Sequence, residues 1–232
     1  MSVDKITPVL DHGTIHLVDH MGSDLAIARN ARVSYDAAWR AGNDTGSDTR
    51  LIRYLYKHKH NTPFECVTFT FEVKAPIFVL RQWMRHRTWS YNEVSARYTE
   101  LPAVAYLPDE SDITTQSSDN KQMRTDETHR YAEAMRELMR TSAAQSFAAY
   151  ETLLSFNCPR ELARTVLPVS TYSHMFCTVN LHNLFRFLSE RLHPSAQYEI
   201  RVYAKAILDI IKPIVPVATG AFIEGLSSEY DV

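Results

Sequence analysis

The stretch RQWMRHRTWSYNEVSARY, from Arg81 to Tyr98, gathers four arginines and a histidine around a polar turn with a single carboxylate, Glu93. Such a local excess of positive charge attracts anions. On a helix, Gln82, Arg85 and His86 fall at i, i+3 and i+4, so they share a face and can converge on one ligand. Arg85 offers a planar fork for phosphate and Gln82 an amide for the polar edges of a pyrimidine or ribose. His86 adds a donor that need not be charged. Beyond the turn, Ser90, Asn92, Glu93, Ser95 and Arg97 form a second polar set, too irregular for a helix face, so a nucleotide can be gripped from both arms. The same residues also read as a solvated basic helix end capped by Ser90 and Asn92.

Side chains must do any phosphate binding. All six glycines lie towards the ends, at 13, 22, 42, 46, 220 and 225, whereas dinucleotide folds and phosphate loops need glycine to bring backbone amides close. The three cysteines, Cys66, Cys158 and Cys177, are widely spaced without a C-x-x-C pair, so neither a disulfide framework nor a zinc ribbon is expected. Cys66 reads as sitting on a strand and Cys177 as beginning a helix; none is visibly an activated nucleophile. His58 and His60, or His12 and His16, lack further ligands nearby, and no metal is expected.

The elements that must position these groups follow from periodicity. Residues 40 to 49 read as a polar loop, followed by a short amphipathic helix through Leu51, Tyr54, Leu55 and His58. From Cys66 to Val73 the chain alternates, with Val67, Phe69, Phe71 and Val73 on one face of a strand. Pro76 suits a first helical position, and Ile77, Leu80, Trp83 and Met84 stripe a helix running toward Arg87. Residues 101 to 126 read as a long surface loop, either a cover or a plain connector. A helix is expected over residues 127 to 156, with Tyr131, Met135, Leu138 and Met139 facing a core or a partner. Two more are expected over 173 to 192 and 196 to 211, before Pro213 and Pro216 break the pattern.

A chain of 232 residues, 45% hydrophobic and 22% charged, suits one domain. A net charge of -2 provides no global basic field for nucleic acid or membrane surfaces. The N-terminal residues lack a long apolar run, and no stretch approaches bilayer length, so a cytoplasmic protein is expected.

RHRTWSYNEVSARY, Arg85 to Tyr98, resembles the signature of flavin-dependent thymidylate synthases, R-H-R-x-x-S-x-N-E-x-S-x-R-Y, at every specified position. ARVSY (Ala31 to Tyr35), HNTPFECVTFTF (His60 to Phe71), ARTVLP (Ala163 to Pro168) and TVNLHNLFRFLSERLHPSAQYEIR (Thr178 to Arg201) look like further blocks of that family, in the same order. The resemblance implies dUMP contacts at Gln82, Trp83, Met84, Arg85, Glu93, Val94, Ser95, Ala96, Arg97, Arg164 and Arg191, with Glu93, Ser95 and Arg97 supplied by a neighbouring subunit. It implies flavin contacts at Thr62, Arg85, His86, Arg87, Glu93, Asn180, Leu181, His182 and Arg186, and a catalytic role for Arg191, which polarises the uracil ring. It implies FAD, NADPH and methylenetetrahydrofolate as cofactors and co-substrate, and a homotetramer with shared active sites. The implied fold is α+β: one domain over 1–232 with a central, mainly antiparallel sheet flanked by helices and a helix-rich C-terminal half.

Helix geometry bears on the late block independently. Asn180 and Arg191, eleven residues apart, return to nearly one side at about 100° per residue, while His182 and Arg186 flank the opposite edge of a leucine stripe. Such a helix presents polar groups in two directions, as a site shared between chains requires; the plainer reading is surface groups with an Arg186–Glu190 ion pair. Two positions depart from the family pattern: Ser195 stands where a histidine is usual, and Glu190 where an apolar residue is common.

Two rivals explain less. A small RNA-binding module would use the arginines with Trp83, Trp89 and Tyr91 as a phosphate and stacking surface. A generic flavin reductase leaves Gln82, Arg97 and Arg164 without a role.

Overall fold

Periods of two and of 3.6 divide the residues described by a computed structural model, 5–230, into seven strands and eight helices. The strands are β1 (Ile6–Val9), β2 (Gly13–Met21), β3 (Thr68–Pro76), β4 (Ser90–Glu93), β5 (Thr114–Gln116), β6 (Arg124–Thr128) and β7 (Tyr172–Asn180). The helices are α1 (Asp24–Arg32), α2 (Thr45–Lys57), α3 (Ile77–Trp83), α4 (Ala132–Ser155), α5 (Arg160–Ala163), α6 (Leu181–Leu192), α7 (Tyr198–Ile211) and α8 (Pro216–Tyr230).

Five strands form one antiparallel sheet in the order β1-β2-β3-β7-β4, and β5 and β6 make a separate hairpin. Alternation along β3 sends Phe69, Phe71, Val73 and Ala75 into the core and leaves Thr68, Thr70, Glu72 and Lys74 on a wetter face, the usual arrangement for an antiparallel sheet covered on one side. Helix α7 packs on β1, β2 and α3, while α6 packs on α7 and β7. One hydrophobic cluster joins sheet and helices, from Val9 to Leu226. The fold is α+β as expected, and its C-terminal half is mostly helix. Residues 1–4 and 231–232 of the expected 1–232 domain, including the start of the segment read for a leader, lie outside the described residues.

Several elements depart from the expectation. Residues 173 to 192 are not one helix: β7 fills the first half, pairing along its whole length with β3, and Cys177 is a buried strand residue. Cys66 closes a 3-10 turn, Thr62–Cys66, instead of sitting on the strand. Helix α2 begins at Thr45, inside the expected polar loop, because the Asp44 carboxylate accepts the Ser47 N–H and caps it. Pro76 ends β3 in extended geometry and Ile77 is the first residue of α3. That helix stops at Trp83, short of Arg87. Within 101 to 126 the chain forms β5 and starts β6, which runs to Thr128 and delays α4 to Ala132.

Helix α8 was hidden by its prolines. Pro216 occupies its first position, where a missing N–H costs nothing. Asp24, from the start of α1, supplies the missing cap, accepting the N–H groups of Val217 at 2.7 Å and Ala218 at 3.0 Å. A second tie joins α1 to α2: Arg32 donates through Nε and Nη2 to buried Asp48, whose other oxygen accepts the Gly42 N–H. Among the described residues no group of three or more His, Cys, Asp or Glu stands ready for a metal, and no helix is long and apolar enough to cross a membrane.

Candidate active site

The signature turn is fixed from beneath. Trp83 is fully buried, stacked on Phe187 of α6 at 4.9 Å and meeting Trp89 and Tyr203 edge-on. Past it the chain tightens into i+3 hydrogen bonds, Arg85 N–H to Gln82 and His86 N–H to Trp83. The Tyr91 hydroxyl on β4 donates to the carbonyls of both Trp83 and His86, pinning the turn to the sheet. Any ligand contact from Trp83 must therefore come from its backbone. Met84 packs partly against the core. Gln82, Arg85 and His86 do not share one helix face, since only Gln82 lies on α3; Gln82 bonds Gln197 just before α7.

The turn drops His86 onto α6, with its ring edge-on to Phe187 at 4.9 Å. One turn further along α6, Nε of Arg191 donates to Nε2 of His86 at 3.0 Å. A guanidinium is always the donor, so Nε2 is the acceptor and the imidazole proton sits on Nδ1. Burial first, then the neighbouring Arg191 and Arg186 cations, lower the His86 pKa against the opposing pull of Glu190. Neutral His86 thus holds Arg191 without discharging it. Glu190 lies 3.8 Å from both His86 and Arg191, so it faces this pair instead of forming the Arg186 ion pair of the plainer reading.

The second arm follows β4. The Ser173 hydroxyl donates to Glu93 at 2.5 Å, and the Val94 N–H bonds the His174 carbonyl at 2.8 Å, continuing the pairing with β7. Ser95 then opens a turn by accepting the Arg97 N–H on its hydroxyl. Ala96 is buried, so its contribution to a ligand is also limited to backbone. Arg97 reaches out to Glu161 on α5 at 3.5 Å, three residues before exposed Arg164. An exposed pair this long is weak, leaving Arg97 available to a better anion. Arg85 and Arg87 are exposed, and neither guanidinium is hydrogen-bonded or ion-paired among the described residues.

A third group gathers where β7 becomes α6. Asn180 caps that helix, accepting the Asn183 N–H at 2.9 Å, and buried Leu181 ties its N–H to Val67. His182 and Arg186 line an open cavity of about 540 Å³, opposite Arg53, Lys57 and Lys59 of α2 and its connection to the exposed Thr62 turn. Burial lowers the His182 pKa, partly offset by Glu65. Arg53 and Lys57 on α2, and Lys59 just past it, were missed in the sequence, where that helix was read for its apolar stripe alone. Their spacing at 53, 57 and 59 was the available signal.

The second arm and the third group are far apart within one chain. Glu93 pairs with Met175, and Asn180 lies five residues further along β7, roughly 17 Å at about 3.3 Å per residue. A lone pyrimidine cannot touch both; an extended ligand or a second protomer can.

Thiol chemistry finds no support at Cys177 and Cys66, where burial raises the thiol and leaves less thiolate. Trp83, Trp89 and Tyr91 do not form an RNA-stacking surface, because both tryptophans are buried and the Tyr91 hydroxyl is committed to the turn.

Residues 16–217 match the family model described as thymidylate synthase complementing protein. The chain is 46% identical over 223 residues to a flavin-dependent thymidylate synthase of Treponema denticola, covering 95% of this chain and 82% of that protein. It is 47% identical over 219 residues to the flavin-dependent thymidylate synthase of Thermus thermophilus, covering 94% and 78%. A solved structure of the UMP/dUMP methylase PolB from Streptomyces cacaoi, bound with 5-Br dUMP, superposes with a TM-score of 0.85 at 37% identity, covering 94% of this chain and 97% of that one.

Proposed function

This chain belongs to the flavin-dependent thymidylate synthases, the thymidylate synthase complementing family, and from that premise we propose that it methylates dUMP to dTMP with FAD, NADPH as reductant and methylenetetrahydrofolate as carbon donor. The observation that carries the reading is Arg191, held against neutral His86 at the end of the signature turn.

In this reading Gln82, Arg85 and Arg164, with Glu93, Ser95 and Arg97 of a neighbouring protomer, hold dUMP. Arg85 and Arg97 project a guanidinium each for the phosphate, and Gln82 takes a polar edge of the nucleoside. The backbone of Trp83, Met84, Val94 and Ala96 shapes the pocket between them. Arg191 faces the ring and stabilises negative charge that develops on it, a preorganised electrostatic role. The partner on its Nε is neutral, and the exposed Glu190 carboxylate, 3.8 Å from its Nη2, offsets its charge only weakly.

The donor set at the start of α6 fits FAD. Arg186, Lys57 and Lys59 offer positive charge to a pyrophosphate, and Phe64 and Phe185 offer apolar walls to a ring. Thr62, Arg85, His86, Arg87, Glu93, Asn180, Leu181 and His182 complete that site. FAD, when bound, would supply the reducing equivalents for the methylation.

A homotetramer with shared sites is part of the proposal. The roughly 17 Å between the Glu93 arm and the flavin-side group at the start of α6 supports it, as do apolar side chains left in water, Tyr35 at 89% and Leu138 at 71% exposure.

The test is product formation by purified protein loaded with FAD. dTMP should accumulate only when dUMP, methylenetetrahydrofolate and NADPH are all present. NADPH consumption indifferent to dUMP would mark a flavin reductase instead.

A further inference from the structure

A second cavity, of about 450 Å³, opens between α4, the β5-β6 hairpin and the first turn of α7. None of its lining residues belongs to the signature turn or to the α6 cavity. Its floor is Glu199, only 4% exposed. Oε1 of Glu199 accepts the Tyr106 hydroxyl at 3.2 Å and Nη1 of Arg124 at 3.4 Å. Oε2 has no hydrogen-bond partner among the described residues, and neither does the buried Thr114 hydroxyl on the same wall.

A buried carboxylate oxygen without a donor is the exception in folded proteins and requires a reason. Arg124 does not supply that donor: it reaches Oε1 while its guanidinium lies over the Tyr198 ring at 5.0 Å. Asp112 adds a second carboxylate to the lining, so two acids face one guanidinium and the cavity favours a cation. Phe78, Ile113, Met139 and Pro168 give the remaining walls an apolar character. The volume falls in the range of small-molecule sites, roughly 300–1,000 Å³.

We propose that this cavity binds a small organic cation, an amine or amidine on an apolar or aromatic body, whose N–H group donates to Oε2 of Glu199. The body fills the space between Phe78 and Met139, and the charge balances Asp112 and Glu199 against Arg124. The walls reach the elements that carry Gln82 and Gln197: Phe78 stands one turn before Gln82 on α3, and Glu199 two residues after Gln197.

Benzamidine is the probe and benzamide its neutral isostere, titrated calorimetrically into the full-length protein. Benzamidine should bind in the millimolar range or tighter, and benzamide at least about tenfold more weakly. Ala143→Phe, which fills the cavity from α4 and leaves the acid in place, should abolish binding while leaving the thermal midpoint close to wild type. Glu199→Gln should weaken benzamidine by at least about tenfold. If that variant fails to fold, Ala143→Phe decides alone. Equal binding of the two probes, no binding by the wild type, or binding that survives Ala143→Phe would each overturn the assignment. The outcome is independent of dTMP formation.

Discussion

Replacing Arg191 by alanine removes a cation from a site where negative charge is proposed to develop. Its side chain is 20% exposed and fixed by the bond to His86, so an effective dielectric near 20 is appropriate. Two unit charges about 4 Å apart then interact by about 4 kcal/mol. At about 1.4 kcal/mol per decade, that corresponds to a rate loss of roughly 10³, within the range for losing one oxyanion donor. Arg191→Lys should fall between: it keeps the charge but cannot reproduce the Nε bond to His86, a charge-assisted contact of about 1.5–3 kcal/mol, so roughly ten- to a hundredfold of the rate is lost. The assay is dTMP formation at saturating dUMP, followed by chromatography, with the flavin spectrum and dUMP binding measured on each variant. Arg191→Ala with both ligands bound and turnover within about threefold of wild type would refute the electrostatic argument. Loss of flavin would instead make Arg191 part of the scaffold.

Three further outcomes are expected. Ser95→Ala keeps measurable turnover, because its hydroxyl accepts the Arg97 N–H and shapes a turn; complete loss with dUMP and flavin still bound would mean that Ser95 takes part in the chemistry. Asp24→Ala uncaps α8 and should lower unfolding free energy by about 1–2 kcal/mol in urea titration, while Asp24→Asn, which keeps an acceptor, loses less. His86 governs an acid limb. Its folded pKa is lowered by burial, so the unfolded chain binds more protons between that value and the unfolded value of about 6.5. The contribution is fully present above about 6.5 and fades as pH falls through the folded value. His86→Gln should therefore show a shallower fall in thermal midpoint below about 6.5 than wild type; identical profiles would contradict it.

The sequence exposed whatever depended on local pattern. β3 was legible because it alternates over a sheet with one wet face. β7 was not, although Ser173, Met175, Cys177 and Val179 alternate inward. Its period changes to 3.6 at Asn180 with no glycine or proline to mark the boundary, so strand and helix read as one helix. α8 was lost because its cap comes from Asp24, far away in the sequence. At the site, the concentration of arginines was visible in the chain, and so was the family signature. Which arginine meets His86 was not, since that contact needs α6 packed beneath the turn. The RNA-binding rival needed Trp83 and Trp89 on a surface, while the helical stripe put Trp83 on an apolar face; the burial of both against Phe187 follows from the assembled core. Tyr131, Met135, Leu138 and Met139 had core or partner as alternatives. All four are solvent-exposed in the single chain, so none of them reaches its core.

The central claim is that reducing equivalents held on bound FAD pass to dUMP in the site governed by Arg191. Its most direct test is an anaerobic single turnover, in which protein with reduced flavin is mixed with dUMP and methylenetetrahydrofolate while absorbance and product are followed together. Return of the oxidised flavin spectrum with one dTMP formed per flavin is the predicted result. Flavin that stays reduced, or dTMP formed equally by flavin-free protein, would contradict it.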